Sequence, residues 1–270
     1  MEYSDIIKSM HRFGPSDAEI CKSTLGIPPE EIEGIVIVSP GWMPERLFAP
    51  EEIKLMVESS PLFGFRLWRI EKSGKRATYI RTGFGAPMVM DALLLLGLGK
   101  VEQILFVSSV GALSKEIRVG DVLLPQVSSC GDGAGRYLSD DPWGDTYGEK
   151  QVPDTALLHR LAELTDEICR EHSAAWHYGN TLCVDTIVAQ YNHLEKIIAR
   201  GYDSVDMESA VAFKVARRMG IPAAALLHVS DNSVLDQSLL SAREGHGGRT
   251  YRSYVRKEVL PKIVHALFFE

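Results

Sequence analysis

Three short apolar runs constrain this chain more than any other feature: Ile35-Val36-Ile37-Val38, Ile104-Leu105-Phe106-Val107 leading into Ser108-Ser109, and Ala223 to Val229. Each is too short for a helix, shows no polar alternation and runs into a turn rich in Gly, Ser, Pro or Asp. Runs of that kind are strands covered on both faces, which requires helices on either side of one sheet. Helical patterns do lie between them. Met88 to Leu98 is entered through Pro87, Pro153-Asp154 opens a segment with Leu157, Leu158, Leu161 and Leu164 on one stripe, and Met207 to Met219 stops at Gly220 and Pro222. Phe65 to Ile70 and Ala77 to Thr82 read as a hairpin around Lys72-Ser73-Gly74-Lys75. Shorter strands are expected at Asp121 to Pro125, Thr181 to Val184 and Ser204 to Asp206, a helix at Leu194 to Arg200, and a last helix from Tyr251 to Phe269 broken near Pro261. The alternation predicts an α/β fold: a single three-layer α/β/α domain with a mixed, mostly parallel central sheet. Residues 1–33 read as a polar N-terminal extension closing on Pro28-Pro29, and residues 34–270 as the domain. The stretch 128–150 is rich in Gly, Asp and Ser and shows no period, so it reads as a long loop of the kind that is functional or mobile.

Composition narrows the function. With 270 residues, 45% of them hydrophobic, the chain can bury a substantial core. A net charge of −7 with no Lys/Arg cluster argues against nucleic acid as a partner. No apolar run reaches the ~18 residues a bilayer span needs, so no membrane role is expected. Cys21, Cys130, Cys169 and Cys183 lie far apart and no export signal precedes them, which fits reduced thiols and a cytoplasmic location. His159, His172, His177 and His193 show no paired ligand spacing, so no metal is expected.

In open α/β sheets, ligands bind beyond the carboxyl ends of the strands, and here those ends carry unusual residues. The first strand leads into Ser39-Pro40-Gly41-Trp42-Met43-Pro44-Glu45-Arg46. The others lead into Thr82-Gly83-Phe84-Gly85-Ala86-Pro87, Ser108-Ser109-Val110-Gly111, Asp206-Met207-Glu208-Ser209 and Ser230-Asp231-Asn232. Taken singly, each has a structural explanation. The glycines suit turns, Glu208 suits a helix start, and Asp231 suits an N-cap.

Their order and spacing carry more. Thr82 to Pro87, Val107 to Leu113 running on to Val119-Gly120-Asp121-Val122, Val205-Asp206-Met207-Glu208-Ser209-Ala210 and His228-Val229-Ser230-Asp231 together resemble the nucleoside phosphorylase family. That family includes hexameric purine nucleoside phosphorylases, uridine phosphorylases and adenine nucleosidases, and the resemblance spans about Gly34 to Val234. It implies cleavage of an N-glycosidic bond, a small-molecule nucleoside as substrate and a homo-oligomer, dimer or hexamer. It implies no cofactor, with inorganic phosphate as co-substrate. The resemblance places Glu208, Met207, Asp206 and Phe84 at the ribose, and Ser230, Ile187 and Gln190 at the base. Asp231 would donate a proton toward N7 of a departing purine. Ile187 stands where a stacking phenylalanine is expected, which leaves Trp143, Tyr147 and Tyr191 as aromatic candidates.

The departures concern the acceptor. Gly41, Arg46 and Ser109 match phosphate-binding positions, but a strand arginine is replaced by Phe106, and the Ser59-Ser60-Pro61 region holds no basic residue where a neighbour-lent arginine is expected. Glu45, beside Arg46, lies near the glutamate with which hydrolytic relatives orient water. Arg46 turned inward implies phosphorolysis of a purine nucleoside in purine salvage. Glu45 turned inward implies a hydrolytic nucleosidase. A non-catalytic nucleoside-binding or storage protein is the third alternative.

Overall fold

The computed structural model describes residues 1–240 and 246–270, and, of 246–249, the backbone only. Among the described residues ten strands form one sheet: β1 (Ile35–Ser39), β2 (Ile53–Val57), β3 (Arg66–Lys72), β4 (Lys75–Arg81), β5 (Gln103–Ala112), β6 (Val122–Ser129), β7 (Lys150–Gln151), β8 (Trp176–Cys183), β9 (Ser204–Asp206) and β10 (Ala223–Asn232). The order runs β10-β6-β8-β9-β5-β1-β4-β3-β2, with β7 beside β6. β10 also pairs with β5, so β5, β10, β6, β8 and β9 close into a ring from which the remaining strands extend. The pairings divide evenly. β1–β4, β1–β5, β5–β10, β6–β8 and β8–β9 are parallel, while β2–β3, β3–β4, β5–β9, β6–β7 and β6–β10 are antiparallel. A helix, Thr155–Glu171 or Leu194–Ile198, lies in the connection of the parallel pairs β6–β8 and β8–β9, whereas β1 reaches its parallel partner β4 through β2 and β3.

Eight helices cover the sheet among the described residues: α1 (Tyr3–Met10), α2 (Asp17–Thr24), α3 (Ala86–Leu96), α4 (Thr155–Glu171), α5 (Leu194–Ile198), α6 (Ser209–Met219), α7 (His246–Tyr254) and α8 (Leu260–Phe268). Strand alternation divides the core in two. Val36, Val38, Ile104 and Phe106 face a layer containing Leu25, Val89, Leu93, Val211 and Val215, while Ile37, Leu105 and Val107 face Leu157, Leu161, Ile263 and Leu267. Helices on both sides of the sheet make the fold α/β and three-layered.

Local chemistry sets the boundaries. Asp154 caps α4, its carboxylate accepting from the Leu157 N–H at 2.8 Å. Gly220 closes α6 in the left-handed conformation, φ 68°. Pro261 occupies the first turn of α8, where its missing N–H is harmless, and the interruption takes the form of a π-helical turn at Val255–Val259 joining α7 to α8.

The opening segment differs from expectation. It forms α1 and α2, and Ile20, Cys21, Leu25, Ile27 and Ile32 join the core. Their apolar positions are spread thinly among charges, so the segment reads as polar even though one side is buried. β2 was unforeseen, and β6 and β8 are longer than their apolar stretches. The stretch 128–150 is partly ordered, with β6 reaching Ser129, a 3₁₀ turn at Ala134–Leu138 and the β6–β7 pair at its end. No helix among the described residues is long and apolar enough to cross a membrane. No group of three or more His, Cys, Asp or Glu among them is arranged to hold a metal ion.

Candidate active site

A cavity of about 360 Å³ opens at the carboxyl ends of β1, β5, β9 and β10. It is bordered by Gly41, Arg46, Phe84, Ser109, Ile187, Gln190, Asp206, Met207, Glu208, Ser230 and Asp231. Every site position expected from the sequence except Glu45 is therefore at one place.

Two buried carboxyls dominate it. Glu208 follows β9 at the entrance to α6 and is 3% exposed. Its Oε1 accepts the Gly85 N–H at 2.7 Å. Burial, and next the neighbouring Asp206 charge, push its pKa up to about 8. Gly85 has φ 101° and ψ 148°, a conformation essentially restricted to glycine, and so presents its N–H across the site. Asp231 lies on β10 just after the β5–β10 register shifts between Val229 and Asp231. Such a bulge re-aims the side chains beside it. Its Oδ1 accepts the Ser230 hydroxyl at 2.6 Å, and burial raises its pKa. Opposite Asp231, Gly111 leaves little room, since a Cβ there would come within 3.4 Å of the carboxylate.

Asp206 borders the cavity, but its oxygens are committed elsewhere. Oδ1 accepts the Cys183 thiol at 2.8 Å, and Oδ2 accepts the N–H of Ser209, the first residue of α6, at 2.9 Å. The carboxylate expected at the ribose thus borders the cavity while its two bonds also hold the Glu208 turn. Met207 lines the wall, and Phe84, 65% exposed, covers the mouth against Gly41. Gln190 and Tyr191 come from a 3₁₀ turn, and Gln190 Oε1 is buried without a hydrogen-bond partner among the described residues. Tyr191 is the one of the three aromatic candidates that borders the cavity; Trp143 and Tyr147 lie exposed outside it.

The turn after β1 separates its two adjacent charges. Glu45 and Arg46 both belong to a 3₁₀ turn at Pro44–Arg46 and both are exposed, yet only Arg46 borders the cavity. Trp42 anchors this turn. Its N–H donates to Ser39 Oγ at 3.1 Å, its indole N–H to Ser109 Oγ at 3.2 Å, and its carbonyl accepts the Tyr79 hydroxyl at 3.0 Å. The Arg46 guanidinium lies 5.2 Å from the Trp42 ring centroid. Phe106 sits 1% exposed in the core and does not reach the cavity.

Sequence reasoning missed two residues here. Arg252 of α7 and Arg256 of the π-helical turn also border the cavity. Their spacing of four residues puts them on one helix face, but nothing in the chain before them signals which surface that face meets.

Comparison with known proteins agrees with this geometry. The chain belongs to the phosphorylase superfamily, whose family model matches residues 34–253. A DeoD-type purine nucleoside phosphorylase from Alkaliphilus metalliredigens is 27% identical over 187 residues, covering 68% of this chain and 75% of that protein. Among solved structures, a uridine phosphorylase from Vibrio fischeri superposes with a TM-score of 0.69 at 18% identity, covering 97% of this chain and 99% of the other. An AMP nucleosidase from Bacteroides thetaiotaomicron superposes at 0.68 with 17% identity, covering 98% and 96%. The solved structures establish the shared fold. The protein is an enzyme of the nucleoside phosphorylase type.

Proposed function

We propose that this enzyme cleaves the N-glycosidic bond of a purine nucleoside by phosphorolysis, giving free base and ribose 1-phosphate. The observation that carries the reading is that Arg46, and not Glu45, borders the cavity that also contains Glu208 and Asp231. Cleavage of the C1′–N9 bond proceeds through a cationic, oxocarbenium-like sugar, with negative charge developing on the base. A phosphate oxygen then bonds to C1′. Glu208 is the acceptor for the ribose hydroxyls, since one carboxylate can take two O–H donors. Met207 packs on the sugar face. Asp231, whose pKa burial raises, donates a proton to N7 and so neutralises the leaving base. Ser230 holds the other side of that carboxyl. Gln190 Oε1 is an open acceptor for a base N–H.

Assay of inosine, adenosine and uridine with purified protein tests the reading. Purine release exceeding uracil release supports it, together with a fall of about 10²-fold or more in Asp231→Asn. Uridine as the better substrate, with Asp231→Asn unimpaired, would refute the assignment of Asp231 and the purine preference together.

A further inference from the structure

Arg46, Arg252 and Arg256 reach the same cavity from two places far apart in the chain. Neither Arg46 nor Arg256 is ion-paired with a carboxylate among the described residues. Instead the guanidinium groups bear on one another: burial, then Arg256 and Arg252, hold the Arg46 pKa below its ordinary value. The His228 imidazole adds no further positive charge. His228 is 1% exposed and stays neutral, its pKa driven down to about 3 by burial and by the same three arginines. One ring nitrogen engages the Arg252 backbone, and Nε2 is buried with no hydrogen-bond partner among the described residues.

The approach of the C-terminal helix is fixed by packing. At Gly120, φ 103°, a Cβ would meet Arg252 Cα and Tyr251 Cδ1 at 2.8 Å, so the turn between β5 and β6 admits α7 only because that residue is glycine. The Tyr251 hydroxyl donates to Asp121 Oδ1 at 2.9 Å and accepts the Ala175 N–H at 2.9 Å. Val255 is fully buried in the next turn. The Gly120-Asp121 pair therefore acts as a platform that delivers Arg252 and Arg256 to the cavity. Arg252 also bears on the Asp231 carboxyl, while Arg46 and Arg256, without an ion-paired carboxylate among the described residues, repel one another until an anion joins them.

We propose that Arg252 and Arg256, together with Arg46, form the seat of a phosphate dianion, returning to the site from the C-terminal helix the positive charge that Phe106 leaves out of β5. The proposal rests on reading the cavity as a nucleoside site. The shared chemistry is a phosphate group, either free phosphate acting as acceptor or the 5′-phosphate of a nucleotide.

Equilibrium dialysis with radiolabelled inorganic phosphate, without nucleoside, tests the seat apart from turnover. Arg252→Met and Arg256→Met are expected to weaken phosphate binding about 10- to 100-fold, the range for a lost charge-assisted hydrogen bond. Arg256→Lys keeps the charge and is expected to lose less. Lys257→Met removes one charge from the same helix away from the cavity and is expected to bind as the wild type does. Retention of labelled phosphate alongside adenosine assigns the seat to free phosphate. Displacement by AMP but not by adenosine assigns it to a 5′-phosphate, which leaves the seat standing and takes support from phosphorolysis. The proposal is overturned if folded Arg252→Met and Arg256→Met bind phosphate as Lys257→Met does. That result would leave the phosphorolytic reading intact wherever the wild type still forms ribose 1-phosphate.

Discussion

Replacing Glu208 with Gln removes a titrating group and little else. The glutamine keeps the length and an oxygen that can still accept the Gly85 N–H. In the wild type, burial and Asp206 raise the Glu208 pKa from 4.5 to about 8. The folded state therefore binds a proton that the unfolded chain has already released, and stability falls as pH rises between those two values. The slope is about 1.4 kcal/mol per pH unit for one group, so the stretch from pH 6 to 8 removes on the order of 3 kcal/mol. Urea denaturation of wild type and Glu208→Gln at both pH values measures this contribution together with the coupling of Glu208 to Asp206, since Asp231 is present in both proteins. The wild type should lose that amount relative to the variant. Parallel profiles would refute the claim that Glu208 is buried as a neutral acid in the free enzyme. The same titration has a functional side: a carboxylate accepts two hydroxyls better than a carboxylic acid does, so nucleoside KM should fall as pH rises toward 8.

Three further outcomes follow from individual contacts. Gly85→Ala places a Cβ where φ is 101°, a strain of about 1–3 kcal/mol, and relaxation of the turn should withdraw the N–H from Glu208 and raise nucleoside KM about tenfold. Phe106→Ala should destabilise by about 3–5 kcal/mol while leaving phosphate KM unchanged, because the ring is buried in the core and does not touch the cavity; a raised phosphate KM would place it in the site after all. Asp121 is fully buried, yet hydrogen bonds from His177, the Arg118 N–H and Tyr251 outweigh its desolvation and hold its pKa below 3.8. Its contribution is present above that value and fades as pH falls through the folded pKa. Asp121→Asn should therefore lose about 1–3 kcal/mol at pH 7 and approach wild-type stability in strong acid, and its loosened α7 should raise phosphate KM.

What was legible in the sequence was set by locality. β1, β5 and β10 are buried on both faces, so their apolar runs announce them, and their ends carry the Gly, Ser, Asp and Glu residues that the structure gathers around one cavity. The position of Arg46 against Glu45 was not legible, because a one-residue rotation within a 3₁₀ turn depends on Trp42 being pinned by Ser39, Tyr79 and Ser109. The role of Asp206 was hidden for a similar reason. Its bond from the Ser209 N–H is local, but the thiol of Cys183 arrives only through the β8–β9 pairing. Arg252 and Arg256 were the least legible. Their delivery depends on Gly120, more than a hundred residues earlier, and on a π-helical turn that no periodicity announces. α1 and α2 escaped notice because a helix with one sparsely apolar face looks polar until its partner surface is known.

The most direct test of the account is the fate of the acceptor oxygen. Purified enzyme should be incubated with inosine in ¹⁸O-labelled water, with and without unlabelled phosphate, and the sugar product analysed by mass spectrometry. The account predicts ribose 1-phosphate free of ¹⁸O and negligible base release without phosphate. Ribose carrying ¹⁸O at C1, formed at the same rate whether or not phosphate is present, would contradict it.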